Sequence, residues 1–413
     1  MNILVTSVHY APDFGPAAPL YTMLCEGLVK RGHKVTVIAA VPHYPSGQVQ
    51  EAFRGRRTRH SVENGVEVIR VPLPSLDRAK LAKRLLQFVC YHFGASWAAL
   101  GRREFDVVLV AGPGLEVWLP FATLVAFRRK PAVYSVHDLY PDVGVTLGIF
   151  RHRPVIAAVA FLERFCLNHA FTVRILSDSF RPGLRALGVR DNKMALVYDW
   201  VDTDLIRPML HDNPFTQEHN LGKKFVVLYA GNLGLSQGLE HVLTAAAQLA
   251  HDPDLHFLFV GDGAGRENLM AEVERRGLGN VQFLPFQPRD RLPEVLAGAD
   301  VSLAILRRGI GTGSLPSKIF SVMASGRPLI ISLDEGSETW KLVEKAGAGL
   351  CVAPENPSEL AKAIVTLKQD KDLRERLGQN GRIWAERHHS APSAAEQFEK
   401  LLSAAVLSEK QCS

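Results

Sequence analysis

A strand-helix-strand alternation that stops once and then starts again is what most limits the folds open to this chain. Residues 2–8 read as an apolar strand, 17–30 as a helix and 34–40 as a second strand. That order needs a crossover connection, so the strands lie parallel with helices packed on the sheet. Strands are expected again at 65–71, 106–111, 132–136, 171–176 and 193–197, with helices at 154–170 and 180–187. Residues 198–220 hold turn formers and charges with little periodicity. The alternation restarts at 225–230 and continues with strands at 255–260, 281–284, 301–305 and 328–331. Two halves of this kind predict an α/β protein with two doubly wound domains facing a central cleft. The boundaries read as a first domain over 1–200, a linker over 201–222 and a second domain over 223–388. A C-terminal helix over 389–413 is expected to pack back towards the first domain.

Loops that leave the C-terminal ends of parallel strands form the ligand-binding rim of such a sheet. In the second half three of these loops are rich in glycine: Gly231-Asn-Leu-Gly-Leu-Ser-Gln-Gly238, Gly261-Asp-Gly-Ala-Gly-Arg266 and the approach to Lys318. Without side chains, their backbone N–H groups can come close to phosphate. In the third, Gly311 and Gly313 precede Leu315-Pro-Ser-Lys318, which opens a helix over Ile319–Ala324. A helix start, the Ser317 hydroxyl and the Lys318 amine together make an anion site, and a diphosphate is the expected occupant. An ordinary loop-helix-strand of an α/β domain is the competing reading. Gly231, Asn232, Gln237, Gly261, Arg266, Leu315, Pro316, Ser317 and Ser321 are the candidate donor-binding residues of this half, and Lys318 is a candidate catalytic cation. In the first half the matching positions are Gly15, in the loop after strand one, and His137 and Asp138, just past the strand at 132–136. A helix cap and turn would account for the last two equally well.

Several chemistries find no footing. Gly261-x-Gly-x-Gly265 is one residue short of a dinucleotide fingerprint. Asp-x-Asp occurs at 202–204, 252–254 and 370–372, too often to single out a metal site, and none is assigned. The five cysteines are scattered, which fits a reducing compartment and no zinc site. Residues 1–7 read as a strand rather than a leader, and no apolar run reaches membrane-spanning length. Charge is unevenly placed: residues 1–100 hold 12 basic and 6 acidic side chains, which accounts for the whole net charge of +6. At the end of that quarter, residues 76–103 interleave Leu, Phe, Tyr and Trp with Arg78, Lys80, Lys83 and Arg84. Such a helix suits the interface of an anionic membrane, and a helix packed on the sheet with a solvated basic face is the alternative. No nucleic-acid-binding module accompanies the charge.

These residues resemble the family 4 glycosyltransferases along nearly the whole chain. Gly15 lies where that family has its N-terminal glycine loop, and Arg31-Gly-His33 ends the following helix. Glu163-Arg-Phe165 through Ser177, Val260-Gly-Asp-Gly263 and Gly298-Ala-Asp300 are similar to family segments. Val201-Asp202 resembles the end of the family's Asn-Gly-Val-Asp turn, with Asp199 and Trp200 in place of Asn and Gly. The family's Glu-x7-Glu pair would fall on Gly313 and Ser321, and its phosphate-gripping Arg and Lys on Asn232 and Gln237. These departures, with Gly231-Asn-x-Gly-x-x-Gln-Gly238, Pro316-Ser-Lys318 and His43-Tyr-Pro-x-Gly47, resemble the bacterial colanic acid, O-antigen and capsule subgroup.

The resemblance implies the GT-B fold, with two Rossmann-like domains. It implies transfer of a sugar, with retention, from a UDP- or GDP-linked donor in the second domain to an acceptor in the first. No cofactor and no metal are expected. His137 would hold the sugar or the developing oxocarbenium ion. The acceptor would be a polyprenyl-diphosphate-linked glycan, handled by a cytoplasmic protein peripheral to the inner face of the membrane. A sugar-nucleotide 2-epimerase of the same architecture and a non-catalytic nucleotide- or membrane-binding partner are the alternatives.

Overall fold

The computed structural model describes residues 1–412 except 16, 56, 78–80, 103, 147 and 311–314. The chain forms two compact units, one of Met1–Asp199 together with the chain from Ala391 onward, the other of Trp200–Ser390.

The first unit is built on an eight-stranded sheet: β1 (Asn2–Thr6), β2 (Lys34–Ala40), β3 (Arg59–Glu63), β4 (Val66–Val71), β5 (Val107–Ala111), β6 (Ala132–Ser135), β7 (Thr172–Ile175) and β8 (Met194–Leu196). Their order is β3-β4-β2-β1-β5-β6-β7-β8, parallel except for the antiparallel β3–β4 pair. All five residues of β5, Val-Val-Leu-Val-Ala, are buried. An unbroken apolar run is what a central strand covered on both faces requires. β3, which is not among the strands expected from the sequence, is an exposed edge strand. The helix Ala391–Cys412 packs along the helix Ala18–Lys30, and a Cβ on Gly27 would stand 2.9 Å from that of Ala395. Glu399 ties the pair by accepting from Arg31 Nε at 2.7 Å and bonding His33 Nε2 at 2.8 Å.

The second unit has six parallel strands: β9 (Phe225–Ala230), β10 (Leu255–Val260), β11 (Val281–Leu284), β12 (Val301–Ile305), β13 (Leu329–Ser332) and β14 (Gly349–Val352). The order is β11-β10-β9-β12-β13-β14. Strand order reverses between β1 and β5 in one unit and between β9 and β12 in the other. The rim beside such a reversal is where the connecting loops diverge and leave a crevice.

Residues 201–222 are not a linker. They form part of the second unit, and three features hold them there. Arg382 donates through Nη1 to Ile206 O and Ala324 O at 2.7 Å each, and through Nη2 to Thr203 O at 3.0 Å. Val201 pairs with Ser390. Asn213 and Thr216 form a capping box on the helix Pro214–Glu218, whose Phe215 is fully buried. A capped one-turn helix is too short to produce a hydrophobic period, which is why the segment reads as irregular.

The helix Lys371–His388 lies directly on the segment that carries Lys318. A Cβ on Gly378 would be 2.1 Å from Gly326 O, and one on Gly381 would be 3.4 Å from Met323 Cα. Only glycine permits that approach at position 378. We therefore expect Gly378→Val to destabilise by about 1–3 kcal/mol, the usual cost of overpacking, with a matching fall in Tm. An unchanged melting curve would show that this contact carries no stability.

Candidate active site

In the second unit the glycine loops interlock. Leu233 N donates to Asp262 O and Gly265 N to Leu233 O, each at 2.8 Å. A Cβ on Gly261 would lie 1.9 Å from Gly231 O, and one on Gly263 would be 2.5 Å from Asn232 Oδ1. Gly231, Gly261 and Gly263 all have φ between +137° and +156°, so any side chain there would also be strained. Asn232 and Gln237 face the same spot, since Asn232 Nδ2 and Gln237 Oε1 would each stand 2.7 Å from a Cβ on Gly234. The predicted Gly231, Asn232, Gln237 and Gly261 are thus gathered at one place, and Arg266 opens the helix that follows the second loop.

Lys318 joins them. Its Nζ is 3.8 Å from the centroid of the Tyr229 ring and would be 3.1 Å from a Cβ on Gly231. The ring face attracts the ammonium, yet Nζ is buried and has no hydrogen-bond partner among the described residues. Burial pushes the amine down to about 8. A buried cation aimed at glycine backbone and lacking a counter-ion is prepared for an anion. The helix it opens, Lys318–Ala324, has seven residues, and Ser317 at its start makes no side-chain cap. The amine rather than a long helix dipole therefore supplies most of the charge. Leu315 and Pro316 are half-buried, Ser317 is exposed and Ser321 is half-buried on the helix. Gly311 and Gly313 lie outside the described residues. Arg307, which the sequence reading missed, bonds Leu235 O at 2.7 Å and pairs with Glu240, bracing the first glycine loop from β12. An arginine beyond a strand end gives no periodic signal.

In the first unit, His137 follows β6, and its Nε2 meets Tyr21 Oη at 3.0 Å. Burial pushes the imidazole down, Asp199 opposes and Arg174 assists, leaving it at about 4. His137 is therefore neutral near pH 7. Asp138, beside it, is exposed. Arg174, fully buried on β7, donates to Val197 O and Asp199 Oδ1 at 2.7 Å each. Tyr21, Arg174 and Asp199 escaped the sequence reading because Tyr21 looks like helix core and Arg174 sits inside an apolar strand. Gly15 lies against His9, where a Cβ would come within 2.3 Å of the ring. Of the predicted membrane-facing residues, Arg78 and Lys80 lie outside the described residues, while Lys83 and Arg84 are half-buried, with Arg84 5.5 Å from the centroid of the Phe88 ring.

The three Asp-x-Asp sites are turns and caps. Asp202 accepts from Asp204 N and Leu205 N, Asp252 from Asp254 N and Lys368, and Asp370 from Leu373 N.

Two α/β units, each built on a mainly parallel sheet with one reversal of strand order, are the architecture of the GT-B class. Residues 17–200 match the model of the glycosyl transferase 4-like domain, and residues 212–384 match that of glycosyl transferases group 1. The chain belongs to this glycosyltransferase family. It is similar to the putative colanic acid biosynthesis glycosyl transferase WcaI of Escherichia coli, at 29% identity over 88% of this chain and 91% of that one. It is also similar to the probable glycosyltransferase WbjE of Pseudomonas aeruginosa, at 24% identity over 72% and 74%. Among solved structures, HepE of Anabaena in complex with UDP superposes with a TM-score of 0.66 at 19% identity, covering 98% of this chain and 100% of that one.

The depressed Lys318 amine has a consequence for stability. Its folded value of about 8 lies below that of an unfolded lysine, so the unfolded chain binds more protons above pH 8. Stability from this group therefore rises as pH climbs from about 8 towards 10. Lys318→Met should be more stable than wild type at pH 7, by about 1–3 kcal/mol on the scale of other buried charges replaced by apolar groups. That advantage should fade by pH 10. Urea melts at the two pH values test this, and a difference that does not change with pH would contradict it.

Proposed function

We propose that this glycosyltransferase moves a sugar, with retention, from a UDP- or GDP-linked donor to a polyprenyl-diphosphate-linked glycan in bacterial surface polysaccharide synthesis, whether colanic acid, O-antigen or capsule. The observation that carries the donor assignment is the buried Lys318 amine beside the Gly231 and Gly261 loops, which has no hydrogen-bond partner among the described residues. As the bond from the anomeric carbon to the diphosphate breaks, its electron pair passes to the phosphate oxygen. Fixed donors aimed at that growing charge lower the barrier without reorganising. Lys318 and the loop N–H groups are such donors, and in this reading they do the work without a metal. His137, being neutral, can hydrogen-bond the sugar without repelling a developing oxocarbenium ion. The names of the relatives support the pathway class, and the complex of Anabaena HepE with UDP-glucose supports a sugar nucleotide as donor.

The same reading places the protein on the inner face of the cytoplasmic membrane. No helix among the described residues is long and apolar enough to cross a membrane. The helix Leu81–Leu100 instead exposes a stripe at helical spacing: Leu86, Val89, Phe93, Trp97 and Leu100. Trp97 is 79% exposed, and Phe127, on a turn packed against that helix, is 74% exposed and followed by Arg128-Arg-Lys130. Apolar and aromatic groups beside cations suit the headgroup boundary of an anionic bilayer.

A panel of UDP, GDP, ADP, dTDP and NAD, each with and without Mg²⁺, tests the donor reading by thermal shift. One nucleoside diphosphate should stabilise the protein irrespective of metal, and Lys318→Ala should abolish that shift and cut turnover about 100-fold or more. Stabilisation by NAD alone would overturn it. For the membrane reading, Phe93→Ser with Trp97→Ser should release the protein from vesicles containing phosphatidylglycerol, and undiminished co-sedimentation would refute it.

A further inference from the structure

A buried arginine stands at the inner end of a line of polar groups that leads to His137. Arg174 Nε and Nη2 donate to Val197 O and Asp199 Oδ1, and its guanidinium carbon is 5.8 Å from the centroid of the Phe398 ring. Its Nη1 donates to Ser135 Oγ, on the neighbouring β6, at 3.4 Å. The Ser135 side chain is hydrogen-bonded in turn to Tyr21, and Tyr21 Oη is 3.0 Å from His137 Nε2. Arg174, Ser135 and Tyr21 are all fully buried, so water does not stand in for any of these partners. His137, at the outer end, is half-buried.

One direction of donation leaves every hydrogen in this line with an acceptor. A guanidinium only donates, so Ser135 Oγ accepts from Arg174. The Ser135 hydrogen then needs an acceptor, and Tyr21 is the other side-chain partner that Ser135 has among the described residues. Burial pushes the Tyr21 phenol up, so it keeps its own hydrogen and gives it to His137 Nε2. In the reverse arrangement Tyr21 and Arg174 both donate to Ser135, and the serine hydrogen is buried with no acceptor, which is costly. The neutral His137 ring has one hydrogen, and which nitrogen carries it is set by the bond that the other nitrogen makes. With Nε2 accepting from Tyr21, the hydrogen is on Nδ1.

We propose that Arg174, Ser135 and Tyr21 are positioning residues that hold His137 as its Nδ1–H tautomer, so that it meets the sugar of the donor by donating to a hydroxyl oxygen. The proposal rests on the nucleotide-sugar reading above and adds the direction of the contact. A group with a lone pair fits opposite Nδ1–H. An ammonium, as on an amino sugar, would set hydrogen against hydrogen there and is selected against.

Two measurements test this. The first reads the ring in the full chain without nucleotide. Imidazole ¹⁵N shifts at pH 7, with His137 assigned by difference from His137→Gln, should show hydrogen on Nδ1 and a bare Nε2. Ser135→Ala removes the hydroxyl that sets the direction, and part of the ring hydrogen should then move to Nε2. A wild-type ring with its hydrogen on Nε2, or an unaltered Nδ1–H ring in Ser135→Ala, overturns the proposal. A role in packing alone would not move the hydrogen from one nitrogen to the other. The second measurement follows nucleotide release from UDP-glucose or GDP-mannose to water. Tyr21→Phe keeps the aromatic ring and removes only the hydroxyl. It should slow release about 3- to 10-fold, the worth of one hydrogen bond, and release at the wild-type rate refutes the positioning role. If wild type releases nucleotide from neither donor, the donor reading fails and the sugar contact with it, whereas the tautomer is decided by the first measurement independently of any donor.

Discussion

The second unit's rim depends on a distance too short for any side chain. Gly261 and Gly231 approach so closely that a single methyl would overlap a carbonyl oxygen, and the loops that follow them hydrogen-bond through Leu233 and Asp262. Because the loops are locked to each other, the space above Tyr229 has a fixed shape, and the Lys318 amine can be held there without a counter-ion. Burying an unpaired ammonium is costly. The cost is tolerable when the surrounding backbone cannot relax and the group regains a partner on binding. Preorganisation of this kind keeps a site from reorganising during reaction.

The first unit uses a different device. Its rim is organised by buried side-chain pairs rather than by glycine: Tyr21 on His137, Arg174 on Asp199, and Asp13 on His9. Each pair fixes a proton or a charge. One imidazole is held neutral by its surroundings, and the other is oriented by a carboxylate. One rim is built from close glycine contacts and the other from buried side-chain pairs, so the two sheets shape their rims with different residue types.

What the sequence discloses follows from the range over which its signals act. Apolar runs such as Val107–Ala111 and glycine-rich loops are local, so the parallel strands, the βα crossovers and the grouping of Gly231, Gly261 and Lys318 were legible. Residues 201–222 were not, because what holds them is Arg382, some 180 residues away in sequence, and a one-turn capped helix. The Asp13–His9 contact spans four residues, yet a lone histidine after a strand carries no pattern to distinguish it. The polar residues of β7 are hidden for a related reason: Arg174 takes its partners from β6, from Val197 and from Asp199, which only the folded sheet assembles. On the helix Leu81–Leu100 the mixture of apolar, aromatic and basic residues is legible, but which of them face outward, Leu86, Val89, Phe93, Trp97 and Leu100, is settled only by packing.

The return of residues 391–412 to the first unit also sets an order of assembly. Synthesis runs from the N-terminus, and domains fold as units as they emerge. Every residue of the second unit lies between 200 and 390, so it can close before the helix at 391–412 exists. Until then the first unit, although made earlier, has Gly27 and its neighbours uncovered and Arg31 and His33 without Glu399. The half that is translated first is therefore the half that is completed last, and its uncovered helix Ala18–Lys30 is the surface a nascent chain must keep from aggregating.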